Sequence, residues 1–370
     1  MTAMSPPKLA WLFRQPDACR AYACTDWDIV IRQARTANVL ARLAFVIDRA
    51  ELMAEVPTAP RRHLQSGLIM AHQQRISAFF EIDAIRKAVA RTGTKMVLLK
   101  GGAYVARGLD AAEGRLFADI DILVPRERLA DVESALMLHG WNTIDHDEYD
   151  QRYYRQWMHE IPPLRHMLRG TTIDVHHTIL PPTAGRRLDA NKLFAGAIEL
   201  RDRSDVRVLS QTDMVLHSMT HLFYDGELEH GFRDLVDLDS LLRQFASSTP
   251  DFWRRLNPRA QELDLVRPLY YGLRFVRFVM GTPIPESVMS ESEHKGPHSA
   301  LRGLSDAIFL RALNPAHPTC SDSITPVARW LLYVRSHWLR MPPHLLAVHL
   351  ARKALIPARE VPEPEPDKKR

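Results

Sequence analysis

The chain has 370 residues, of which 46% are hydrophobic and 25% charged, so it can bury a sizeable core, and its length points to two or three domains. A formal charge of +5, with Lys and Arg interspersed among Asp and Glu, gives a mixed solvated surface rather than the basic stripe of a dedicated nucleic-acid binder. Three cysteines, Cys19, Cys24 and Cys320, form neither a Cys-x-x-Cys pair nor an even framework, which argues against structural zinc and against a secreted disulfide scaffold and points to a reducing cytoplasm.

The first fifteen residues are too interrupted for a signal peptide, and no run approaches the ~18 apolar residues of a membrane span. The excess of Arg over Lys hints at a GC-rich bacterial genome. From 25 to about 93 the apolar positions Ile29, Val30, Ala37, Leu40, Leu43 and Ala44, then a run over 60–91, recur at helical spacing, with Gly93 as a stop. An N-terminal helical region over 1–93 is expected.

Between 94 and 209 the pattern changes to short β-like segments around one helix over 126–139, opened by Pro125 and closed by Gly140. The run MVLLKGG at 96–102 is an apolar strand ending in Lys100, Gly101 and Gly102 before a helical stretch. Glycine there allows close backbone approach, and free N–H groups at a helix start attract phosphate. Lys100 is then either a phosphate contact or a strand-end surface charge.

The run LFADIDILV at 116–124 carries the most information. Strand side chains alternate, so Asp119 and Asp121 project together while Ile120, Ile122 and Val124 pack on the other side. Two like charges on one face call for a cation, and hard oxygen donors favour Mg²⁺ or Mn²⁺, ions that commonly share a nucleotide's phosphates. A solvated edge strand carrying two acids is the plainer alternative. The aromatic-rich segment 149–157 reads either as a base-stacking surface or as a partly buried hairpin. Downstream, TTIDVHH at 171–177 places Asp174 and His176 on one face of a further strand and supplies a third acid.

From the capping-box pattern of Ser210 and Asp213, helical patterns run to about 357 with proline breaks, giving a C-terminal helical domain over 210–357. The polar stretch 287–298 reads as a loop. The segments 330–340 and 345–355 are apolar with basic punctuation, fitting core helices or a membrane-surface face. The Pro/Glu/Lys-rich residues 358–370 read as a disordered tail.

Taken together, the Leu99-Lys100-Gly101 turn, Arg115 just ahead of Asp119 and Asp121, the strand with Asp174 and His176, and the later His217, His221, Arg233 and Asp237 resemble the uncharacterised nucleotidyltransferase family of bacteria, within the DNA polymerase β-like superfamily. The resemblance spans about 76 to 242. The interval between Gly102 and Asp119 is longer than is usual in the wider superfamily, so the loop with Arg107, Asp110, Glu113 and Arg115 reads as an elaborated nucleotide clamp.

The resemblance implies an α+β fold, a small mixed-sheet catalytic domain over 94–209 between helical regions. It implies a Mg²⁺- or Mn²⁺-dependent enzyme that transfers a nucleoside monophosphate, AMP from ATP, to a hydroxyl of a small-molecule, peptide or protein acceptor. Asp119, Asp121 and Asp174 would be the catalytic and metal-binding acids; Lys100, Gly101, Gly102 and Arg115 would meet the nucleotide. His176 and His221 would face the acceptor or support the metal. The plainer readings are a packed His176, Arg115 paired with Glu113 or Asp110, and an Arg233–Asp237 helix pair. His217 and His221 have a spacing that can hold zinc, but a third ligand is not evident. Two further functions stay open: an RNA- or tRNA-directed transferase, which needs a continuous basic groove, and a nucleotide-binding module without turnover.

Overall fold

The computed structural model describes residues 6–143, 148–185, 188–201, 203–224, 228–294 and 296–341. The tail at 358–370 and the basic apolar stretch at 345–355 lie outside the described residues.

The fold is α+β: a mixed sheet with helices before and after it in sequence. The N-terminal helices are α1 (Lys8–Arg14), α2 (Cys24–Thr36), α3 (Leu40–Arg49) and α4 (Thr58–Ala90). Helix α4 has 33 residues, about 50 Å of rise. Its Leu64, Ala71, Ala78, Ile82, Ile85 and Val89 are buried, and Gly67 sits against the backbone of Ala41 in α3. Gly93, at φ +70°, follows its end.

Among the described residues seven strands follow: β1 (Met96–Leu98), β2 (Asp119–Leu123), β3 (Trp141–Thr143), β4 (Leu164–His166), β5 (Thr172–His176), β6 (Ile198–Leu200) and β7 (Arg203–Val208). Their spatial order is β3-β4-β5-β2-β1-β7-β6. Strand β2 is parallel to β5 and antiparallel to β1, and β1 is parallel to β7. Among the sheet segments lie α5 (Lys100–Ala106), α6 (Leu129–Leu138), α7 (Glu148–Trp157) and α8 (Ala190–Gly196).

Helix α7 occupies the aromatic segment where the sequence allows a hairpin. Arg155 bonds Gln151 one turn back and forks onto Glu133 of α6, local and tertiary contacts that only a helix aligns.

The C-terminal helices are α9 (Gln211–Tyr224), α10 (Gly231–Ser248), α11 (Phe252–Glu262), α12 (Val266–Met280), α13 (Glu286–Glu293), α14 (Ser299–Leu313) and α15 (Thr325–Arg340). Ser210 Oγ accepts from the Asp213 amide, half of the expected capping box. The Asp213 carboxylate turns instead to Arg259, in two bonds of 2.7 and 2.8 Å. The stretch 287–298 is helical in its first half, as α13, because Pro285 starts the turn and Val288 and Met289 bury against the interior. Helix α15 buries Ala328 and Leu332 and leaves Trp330 and Trp338 exposed.

One buried cluster runs without a break from Leu9 to Leu332 and includes both sheet and helices. The connection from α5 to β2 is stapled into it. Arg42, buried in α3, donates to the carbonyls of Asp110 and Glu113, and the Gln74 side chain accepts from the Phe117 amide at 2.7 Å. Gly114, at φ +67°, passes so close that an added Cβ would stand 2.5 Å from the Ala41 carbonyl oxygen. Gly114→Ala is therefore expected to cost about 2 kcal/mol or more, through backbone strain and overlap together, read as a shift of the urea midpoint. An unchanged midpoint would show that this loop is not fixed as described.

Candidate active site

Parallel pairing brings the acids into line. Asp119 stands beside Thr172, Asp121 beside Asp174, and Leu123 beside His176. Neighbours in register share a face, so Asp119, Asp121, Asp174 and His176 all project from the same side of the sheet. Asp119 is exposed at the start of β2 and Asp121 is buried.

Lys100 begins α5 with φ +41°, a left-handed conformation rare for a residue with a long side chain. From there its ammonium donates to Asp121 Oδ1 at 2.8 Å. The same oxygen lies 3.1 Å from His176 Nε2. Burial alone would raise the Asp121 pKa, but Lys100 and His176 overcome it and hold the carboxyl well below its ordinary value. Asp119 moves the other way: the protein mass around its carboxyl, then the Asp121 charge, raises its pKa. Two neighbouring carboxylates thus differ in proton affinity: the one beside Lys100 and His176 is held ionised, and the other is pushed toward its protonated form.

Behind His176 lies a second group. The extended residues 159–161 pair with the end of β5, through Ile161 N–H to Val175 O at 3.0 Å and His177 N–H to His159 O at 2.9 Å. Glu160 Oε2 comes within 3.2 Å of His176 Nδ1, and the His159 ring stacks on that of His176 at 5.2 Å. Among the described residues, His159, Glu160 and His176 are the group of three whose potential ligand atoms converge within 4.8 Å. His159 and Glu160 carry no motif, yet the Ile161-Pro162-Pro163 run after them favours extended backbone, the one signal that places them beside a strand.

Helix α9 closes this region. His217 and His221, one turn apart, line a small cavity with Lys100, His159, His176 and Arg340. Burial holds His217 well below the ordinary imidazole value; Lys100, His221 and His176 add to this, and Asp121 opposes it. His176 is lowered by burial too, against the pull of Asp121. The unfolded chain takes up protons at these histidines near pH 6.5 and the folded chain only at lower pH, so stability falls as pH drops below that value. The limiting slope is about 1.4 kcal/mol per pH unit for each histidine. Urea unfolding between pH 7.5 and 5 should show it, and His217→Gln should flatten the slope by one proton's share; an identical slope in the variant would contradict this assignment.

The remaining expected residues are placed as follows. Gly101 and Gly102 are buried in the first turn of α5, and an added Cβ at Gly101 would meet the Phe117 ring at 2.8 Å and Arg115 Nε at 3.0 Å. Arg115 forms an ion pair with Asp237 of α10 and lies over the Tyr104 ring. Its partner is thus neither Glu113, which binds Arg75, nor Asp110, which binds Arg49. Arg233 pairs with its neighbour Asp234 at 3.1 Å rather than with Asp237. Arg107 lies outside this region, in a groove with Glu199, Leu200 and Arg203.

A family profile described as Uncharacterised nucleotidyltransferase matches residues 23–281. The chain belongs to this family of uncharacterised nucleotidyltransferases. No curated protein and no solved structure matches it. The family match starts one residue before α2 and ends just after α12, so it takes in α2 to α4 as well as the sheet and α9 to α12. Among the described residues, no helix is long and apolar enough to cross a membrane.

Proposed function

We propose that this nucleotidyltransferase transfers a nucleoside monophosphate, AMP from ATP, to a hydroxyl of a small-molecule, peptide or protein acceptor and releases pyrophosphate. The observation that carries this reading is the register of β2 on β5, which aligns Asp119, Asp121 and Asp174 on one face next to the Lys100 ammonium.

The donor set fits a hard divalent cation. Three carboxylates offer only oxygen, the ligand chemistry that such an ion takes, and the Asp121 charge adds to the burial that raises the Asp119 pKa. Asp119, Asp121 and Asp174 would hold Mg²⁺ or Mn²⁺, which when bound neutralises the triphosphate and the leaving pyrophosphate.

The chain's own residues do the positioning. Lys100 and the backbone at Gly101 and Gly102 receive the phosphates, and Lys100 keeps Asp121 ionised. Arg115, anchored to Asp237, fixes the wall under which the nucleotide sits. Asp174 takes the proton of the acceptor hydroxyl as the new O–P bond forms and the bond to pyrophosphate breaks. His176 holds Asp121 in place, and His221 lies on the acceptor side. Since phosphoryl transfer depends mostly on position and charge, no covalent nucleophile is required.

Incubating the chain with Mg²⁺, ATP labelled at the α-phosphate and a cell extract tests the reading. Label on a discrete product with matching pyrophosphate release supports it. Binding of ATP without pyrophosphate release across a broad acceptor panel would replace it with a nucleotide-binding module.

A further inference from the structure

We propose that His159, Glu160 and His176 form a second cation site, for a transition metal of the zinc class, adjoining the carboxylate face through His176. This inference does not depend on the proposed transfer chemistry. It starts from a conflict at one imidazole. Asp121 Oδ1 stands 3.1 Å from His176 Nε2 and, as a carboxylate oxygen, only accepts, so Nε2 is the donor. In the neutral ring Nδ1 then carries a lone pair, and that atom is buried, makes no hydrogen bond and faces Glu160 Oε2 at 3.2 Å. Two acceptors in that arrangement repel unless positive charge lies between them.

Geometry supplies the rest. His159 Nε2 is 4.0 Å from the same Glu160 oxygen, and the three ligand atoms lie within 4.8 Å of one another. Tetrahedral bonds of about 2.0–2.1 Å set ligand atoms roughly 3.3 Å apart, so modest closure brings all three to bonding distance. The adjoining cavity, about 20 Å³, has room for one water-sized occupant, enough for a fourth ligand.

Two imidazoles and one carboxylate suit zinc, whereas Mg²⁺ prefers an all-oxygen shell. Behind the site, Asp121 takes the other N–H of His176, the outer carboxylate that orients a ligating histidine. Lys100 faces the same region, and its charge is matched by Asp121 at 2.8 Å. His176 therefore joins the two sites: one nitrogen serves the acid of β2, the other the new cation.

The test uses the untagged full-length chain, stripped with chelator and dialysed against zinc or cobalt salts. We expect about one zinc per chain by mass spectrometry, retained against millimolar Mg²⁺, and a cobalt form with the intense visible bands of a four-coordinate site. Glu160→Gln and His159→Ala should each weaken zinc binding at least about tenfold, while Asp119→Asn keeps it. The proposal is overturned if wild type binds no zinc, as it would were the His176 ring to hold two protons between its carboxylates, or if both site variants bind zinc as wild type does. Should either variant fail to fold, the cobalt spectrum of wild type decides: weak bands of a six-coordinate, oxygen-ligated ion count against the site.

Discussion

Asp121→Asn is expected to lower pyrophosphate release from ATP by about a thousandfold or more, equivalent to about 4 kcal/mol of transition-state stabilisation, and Asp174→Asn to match it. Both substitutions keep shape and remove charge at two positions that stand side by side in the β2–β5 register. If these residues act together on one cation, the double variant should lose little beyond either single one, because groups working as a unit are not additive. Thermal unfolding of each variant separates this from collapse of the fold. Asp121→Asn leaves the Lys100 ammonium less compensated, so a small drop in Tm is expected, far short of unfolding at assay temperature. Full turnover in either variant would remove the basis for placing the reaction at this face.

The second large effect concerns stability. Arg115 and Asp237 are both nearly inaccessible, at 10% and 8% side-chain exposure, so deleting the cation leaves an acid buried without its partner. Arg115→Met should therefore cost about 3–5 kcal/mol in urea unfolding. Adding Asp237→Leu should recover much of that loss, since an apolar pair of similar size carries no desolvation penalty. An arginine that served the nucleotide alone would leave the unfolding midpoint unmoved. Should the double variant be restored in stability but impaired in nucleotide binding, Arg115 would be doing both tasks.

Much of the architecture was legible in the sequence because it follows from local rules. The alternation around Asp119 and Asp121 identifies β2, the 171–177 pattern identifies β5, and the apolar period over 60–91 identifies α4 nearly end to end. The pairing of Asp121 with Asp174 could be expected only through the family resemblance, because strand order is not written in any single strand. What stayed hidden depends on distant partners. Arg115 meets Asp237 across 122 positions, and Asp213 leaves its cap for Arg259. His159 and Glu160 have no informative spacing of their own; they matter because a short extension beside β5 turns them toward His176. Helix α7 was obscured by its aromatic content, which suits strands as well as helices.

The unbroken interior from Leu9 to Leu332 has a practical corollary. A fragment trimmed to 94–209 would bare the apolar undersides of α4, α9 and α10 contacts at once, and should precipitate rather than act as a miniature enzyme. The same continuity ties the acidic strand to the helices packed around it, so a core substitution in α9 or α10 is felt at β2 through shared packing rather than across a hinge.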